Sequence, residues 1–198
     1  MGLWGATDAD ESKPKNLTTA EKKEVFANTK GWVLEAGTAR SGNDNTSADE
    51  EVLVAIGGLS ASLGAADITE IEFITTSFDK SDGGTIQARV RFNEPVVVST
   101  SGGTPTLSVT NGNQGSGSGR GPHALAYASG TGTNELVFSL TIGAANAATN
   151  AGDILVIGAN AVALNSGTIK DVATSTTNAT ITHSSAIGTA AGSITVAA

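Results

Sequence analysis

The 198-residue chain contains no cysteine, so it has neither disulfides nor thiolate-ligated metal, and its stability rests on packing or assembly. Aromatic residues are scarce at 4%: five Phe, two Trp and one Tyr. Most of them stand at apolar strand positions, which leaves few to display as a platform for stacking sugars. No apolar stretch approaches the ~20 residues that a membrane-spanning helix needs. The acidic N-terminus lacks the hydrophobic segment of an ordinary signal peptide, so routine secretion is not expected and the sequons at Asn16, Asn45 and Asn178 carry little weight. No cluster of Lys and Arg occurs. The net charge of −8 is spread evenly, with 10 acids against 6 bases in residues 1–66 and 9 against 5 thereafter. Phosphate backbones and anionic membranes require clustered cations, so nucleic acid and membrane surfaces are excluded as partners.

Signatures of chemistry are also missing. The 25 glycines form no G-x-G-x-x-G, no G-K-[ST] phosphate loop and no G-x-S-x-G elbow. The serines lie in turn-rich segments without a base nearby, which argues against a nucleophile. An enzyme is therefore not expected, and no cofactor is implied.

What the chain has is alternation. In TIQARVRFNEPVVVS, Ile86, Ala88, Val90 and Phe92 share one face, and Gln87, Arg89 and Arg91 the other. That period of two is the mark of a half-buried strand in an antiparallel sheet. Turn signals then recur regularly, predicting strands near 69–75, 85–92, 95–99, 105–110, 123–128, 135–142, 153–157, 161–164 and 178–183. So many short strands suggest an immunoglobulin-like β-sandwich over residues 67–198, without the Cys–Trp–Cys core of antibody domains. Residues 111–123 read as a Gly-rich tip. Ile194–Val196 reads as one further strand, closing its own sheet or adding to a neighbour's edge.

The first 66 residues read as a separate, β-rich arm and attachment region. Residues 1–16 are polar apart from Leu3 and Trp4, and Trp4 reads equally as cover for its own module or as an anchor in a partner's pocket. Thr18-Thr19-Ala20-Glu21 matches a capping box, predicting a short helix through about Val25. Val25–Ala27 and Trp32–Leu34 flank a turn at Asn28–Gly31, and the apolar stretch Val52–Ile56 is expected to pair with Trp32–Leu34. The boundary falls within the small-residue segment 57–66.

The run RVRFNEPVVV…GTPTLSV, then ALAYASGTGTNELVFSLTIGA, ILVIGANAVALNSGTIKDVA and NATITHSS, resembles an Ig-like repeat of large bacterial surface proteins and of bacteriophage virion proteins. The resemblance covers about 115 residues in four ordered blocks. A longer Gly-rich insertion at 111–122, and His123-Ala124 in place of a basic residue, depart from it. MGLWG, the early Lys-Pro-Lys, and FANTKGWV followed by EVLVAIGGL resemble the N-terminal parts of structural proteins from T4-like phages of marine bacteria, the cyanophage type. Together these resemblances imply a non-enzymatic virion structural protein, foremost a capsid decoration protein. It would dock on the major capsid protein or other virion proteins and display its Ig-like domain for weak multivalent adhesion, host-surface glycans included.

Leu3, Trp4, Phe26, Trp32, Val52 and Val54 are the apolar contacts expected to supply docking. The alternatives are a neck, tail or fibre component, which would be a homo-oligomer, and a carbohydrate-binding adhesin. Asp79 and Asp82, beside Gly83 and Gly84, form a candidate calcium loop whose plainer reading is a tight turn. His123 and His183 read as ordinary surface or strand-end histidines. Arg89 and Arg91 read as exposed partners for acids on a neighbouring strand, contributing on the order of 0–1 kcal/mol.

Overall fold

A computed structural model describes residues 14, 16–55, 65–112, 122–144, 149–172 and 176–198. Leu3, Trp4, most of the boundary segment and nearly all of the Gly-rich tip lie outside these residues. The described chain is mainly β.

The N-terminal module opens with the capping box read from the sequence. The Thr18 hydroxyl accepts from the Glu21 amide, and the Glu21 carboxylate accepts from the Thr18 amide at 2.7 Å, starting helix α1 (Thr19–Lys22). The helix stops after four residues, short of Val25, because the β-branched and aromatic run that follows enters a strand instead. β1 (Val25–Asn28) and β2 (Gly31–Leu34) form a hairpin, and β3 (Glu51–Ala55) pairs antiparallel with β2, giving the order β1-β2-β3. The Asn28 side chain accepts from the Lys30 amide at 2.8 Å, fixing the turn. Gly31 leaves it at φ 127°, where an added Cβ would stand 2.0 Å from the carbonyl oxygen of Val54. On one face Val25, Ala27, Trp32 and Leu34 build a small core of their own, backed by Leu17, Leu53 and Val54.

The remaining strands form one connected sheet. They are β4 (Ile68–Phe73), β5 (Phe78–Asp79), β6 (Gly84–Ser99), β7 (Thr106–Gly112), β8 (His123–Ser129), β9 (Thr133–Ile142), β10 (Ile154–Val156), β11 (Val162–Ala163), β12 (Thr168–Asp171) and β13 (Ser193–Ala197). Their order is β12-β6-β9-β8-β7-β10-β13-β5, with β4 also on β6 and β11 also on β7. Pairing is antiparallel except between β13 and β5, and the sheet curls as a half-barrel around one core. Ile86, Ala88, Val90 and Phe92 all point into that core, as their alternation required. They face Leu136, Phe138 and Leu140 across the β6–β9 register, and Tyr127 meets Phe138 edge-on, ring centroids 6.1 Å apart.

Two expectations need correction. The segments 85–92 and 95–99 are one strand, β6, bent at Asn93-Glu94-Pro95, where the register against β9 shifts between Arg91 and Val96. Pro95, which has no N–H, falls in that irregularity and interrupts no regular ladder. Residues 178–183 form no strand, only isolated bridges at Asn178 and Thr180. Their amides bond to scattered partners instead: Ala179 to the Ile169 carbonyl, Thr180 to the Ala66 carbonyl and His183 to the Asn160 side chain at 3.0 Å, while His183 Nε2 accepts from the Ala161 amide at 2.9 Å. Helix α2 (Ser185–Ala190) follows and packs against β4. The segment Ile194–Val196 lies within β13 and pairs inside the chain, with β10 and β5.

The Gly31 geometry yields a test. Gly31→Ala should destabilise the N-terminal hairpin by on the order of 1–3 kcal/mol, read as faster amide exchange at Phe26 and Val33, which pair across β1 and β2, with β8 and β9 unchanged.

Candidate functional site

Strand β6 turns Gln87, Arg89 and Arg91 away from the core, yet the Arg91 side chain is only 3% exposed. The N-terminal module covers this face. The register places Glu70 of β4 and Glu135 of β9 directly opposite Arg91 on either side. Arg91 Nη1 donates to Glu70 at 2.7 Å and lies 3.0 Å from Glu72, while Nε donates to Glu135 at 3.1 Å. Nη2 reaches the Thr19 carbonyl of α1 at 3.0 Å. A one-turn helix leaves its carbonyls without internal partners. Arg91 satisfies one of them, and Asn134 Nδ2 satisfies two more in this region, donating to the Val25 carbonyl at 3.0 Å and the Lys22 carbonyl at 3.4 Å.

Lys22 completes the network from above, 2.5 Å from Glu70 and 3.6 Å from Glu72, and Arg89 approaches Glu72 and Glu135 at 3.5 Å. Three cations thus meet three carboxylates. Burial alone would raise the Glu70 carboxyl, but hydrogen bonds from Lys22 and Arg91 outweigh it and hold Glu70 below its usual value. On the outer side, Glu21 accepts from Thr18 and from Arg40 at 2.5 Å, and these bonds hold its carboxyl down at about 2. The loop after β2 is thereby tied to α1, and α1 to β6. The expectation of exposed pairs of little consequence is therefore corrected for Arg91. A buried guanidinium has to be partnered, and each nitrogen of this one donates to an oxygen.

Beside this junction lies an open groove of ≈ 690 Å³, lined among others by Phe26, Glu35, Thr38, Thr46, Pro95 and Thr133. The structure sorts the residues expected to dock. Phe26 is half-buried on the groove wall. Val52 is 41% exposed on β3, the edge strand of the three-stranded sheet. Trp32 is 3% exposed and Val54 half-buried, both committed to the module's own core. Leu3 and Trp4 lie outside the described residues.

Asp79 behaves as a turn residue. Its Oδ1 accepts from the Ser81 hydroxyl and amide, each at 2.7 Å, which lowers its pKa. Among the described residues no group of three or more His, Asp or Glu side chains is arranged to hold a metal ion. No described helix is long and apolar enough to cross a membrane.

Both histidines are buried, against expectation. His183 Nε2 accepts a backbone hydrogen bond, so its proton sits on Nδ1, which donates to the Ser184 carbonyl at 3.1 Å. Burial pushes its pKa down, against that bond. His123 Nε2 lies 3.0 Å from the Thr149 hydroxyl, and the Asp153 carboxylate bears on the ring. This hydroxyl–imidazole–carboxylate set has the membership of a nucleophile–base–acid relay. It is sealed, however: Thr149 and Asp153 are 0% exposed, and burial outweighs Asp153 in lowering the imidazole pKa. A substrate cannot reach the hydroxyl in this arrangement.

No protein-family model, no curated protein and no solved structure matches this chain.

Replacing Arg91 by Met leaves Glu70, Glu72 and Glu135 short of one cation and the Thr19 carbonyl short of a donor. Arg91→Met should cost about 3–5 kcal/mol and open residues 16–55 to thermolysin while the large sheet resists. Lys30→Ala, which removes an exposed 3.4 Å pair with Glu50, should change stability by no more than about 0.5 kcal/mol. The Glu70 contribution is complete above the ordinary value of 4.5 and is lost as the pH falls below it, so acid should loosen the same junction.

Proposed function

We propose that the chain is a non-enzymatic structural protein of a phage particle, foremost a decoration protein. Its N-terminal module docks on the shell, and its larger β module, read as Ig-like, projects outward. The reading is supported first by the ordered sequence blocks that resemble Ig-like repeats and T4-like virion proteins. The observation that carries the division of labour is the exposed Val52 on edge strand β3, in register with half-buried Phe26 of β1 across Val33, in a module whose other large apolar residues, among those described, are mostly used internally. Such an edge offers unpaired backbone and an apolar side chain to a neighbouring subunit. Trp32 holds the module together and is withdrawn from the docking set. Phe26, Val52, Leu3 and Trp4 remain in it. On a repeating lattice, many weakly binding copies add up through effective concentration.

Sugar recognition through Tyr127 is disfavoured. Its ring packs edge-on with Phe138, it is half-buried, and its hydroxyl is committed to the Thr131 amide at 3.0 Å, so less of it is free to meet a sugar. Placement in the neck, tail or fibre shares the same docking chemistry and differs in requiring a symmetric oligomer.

The test uses the full-length chain mixed with particles of its phage that lack it. The intact protein and a variant with residues 113–121 replaced by a short Gly-Ser linker should co-sediment with the particles. Val52→Glu and deletion of residues 1–13 should each release it. Failure of the intact chain to co-sediment would overturn the virion assignment, and release by the tip variant alone would reverse the assignment of roles.

A further inference from the structure

At the bend of β6 four stretches of chain meet on the side away from Arg91. The Asn93 amide donates to the Asp67 carbonyl at 2.9 Å, and Asn93 Oδ1 accepts from the Asp67 amide at 2.7 Å, holding the entry to β4. The Val172 amide, just after β12, donates to the Pro95 carbonyl at 3.0 Å, and the Thr180 amide to the Ala66 carbonyl at 2.8 Å. Residues 65–67, 93–96, 169–172 and 176–180 therefore close on one another as a joint. Three carboxyl groups come into it: Asp67, Glu94 and Asp171.

Glu94 is 5% exposed, and its Oε1 is buried without a hydrogen-bond partner; Asp67 Oδ2 is buried likewise. The charges that bear on Glu94 are those of Asp171 from β12 and Asp67 from the entry to β4. Residues 176–180 and α2 contribute no charged side chain. On β6 itself Arg91 is engaged by Glu70, Glu72 and Glu135, and the Glu135 of β9 is engaged by Arg91 and Arg89. A buried carboxylate with an unpaired oxygen and like-charged neighbours is far costlier than the same group carrying a proton.

We propose that Glu94 is a proton-operated latch: protonated, it lets the bend of β6, the entry to β4, the end of β12 at 169–172 and residues 176–180 close together, and on losing its proton it drives them apart. Burial, with Asp171 and Asp67 adding to it, pushes the Glu94 carboxyl from 4.5 up to about 8. Between those two values the folded chain holds a proton that the unfolded chain has released. Stability contributed here is complete below about 4.5, falls as the pH rises, and levels off above about 8. The larger module would thus stiffen in mildly acidic surroundings and loosen in alkaline ones.

The experiment follows the ¹³C carboxyl resonance of Glu94 and site-resolved amide exchange on the intact protein from about pH 6 to pH 10. The latch predicts a Glu94 midpoint near 8. It also predicts exchange at Asn93, Val172 and Thr180 rising several-fold beyond the general base-catalysed increase, with Phe138 of β9 unaffected. Glu94→Gln should abolish the excess. Titration of Glu94 in the ordinary carboxylate range overturns the proposal, and so does an excess that persists in Glu94→Gln. Restoration of protection at pH 9 by calcium chloride would make the joint a divalent-cation site and overturns it also. If Glu94→Gln does not fold, the wild-type midpoint alone decides.

Discussion

A buried guanidinium is the constraint around which this molecule is arranged. Arg91 is desolvated by the N-terminal module, and each of its three guanidinium nitrogens donates to an oxygen on β4, β9 or α1. The charge cannot be buried without those partners, and α1 cannot lie on the sheet without donors for its carbonyls. Each requirement meets the other. The two modules consequently sit as one body, although each has a core of its own.

Much of this arrangement was legible in the residues. The capping box at Thr18, the Asn28–Gly31 turn and the alternation of Ile86 to Phe92 are local signals, and each produced the expected element. The Val52 strand paired where its apolar pattern said it would. What could not be read came from distant partners. Strand alternation shows that Arg91 leaves the core, but not that a second module covers it from residues some seventy positions earlier. The region 178–183 has strand composition, yet its amides are scattered over Ile169, Ala66 and the Asn160 side chain, and a set of partners that follows no single ladder leaves no periodic trace. Residues 85–92 and 95–99 read as two strands, where the chain instead bends and continues. β12, with Ile169 as its only apolar residue, has too little pattern to stand out.

The same long-range convergence produced the candidate site. Glu70, Glu72, Arg89, Arg91 and Glu135 were visible as charged strand residues, and Lys22 as a helix residue. Only the fold sums them to a neutral cluster under a cover. Among the residues expected to dock, the distinction between Trp32 and Val52 likewise depends on which face of a three-stranded sheet is already filled. This sorting narrows the proposed attachment surface to Phe26, the Val52 edge and the N-terminal arm. The joint at Glu94 lies at the bend of the same strand, so β6 carries a neutral ion cluster and, a few residues on, a buried carboxyl group.

The most direct measurement of the central claim is ¹⁵N relaxation on the intact chain in solution. If Arg91 binds the modules into one body, amides of residues 25–34 and of residues 86–92 and 134–142 report a single rotational correlation time. A distinctly shorter time for residues 25–34 would mean that the N-terminal module moves independently of the sheet, and the account built on Arg91 would fail.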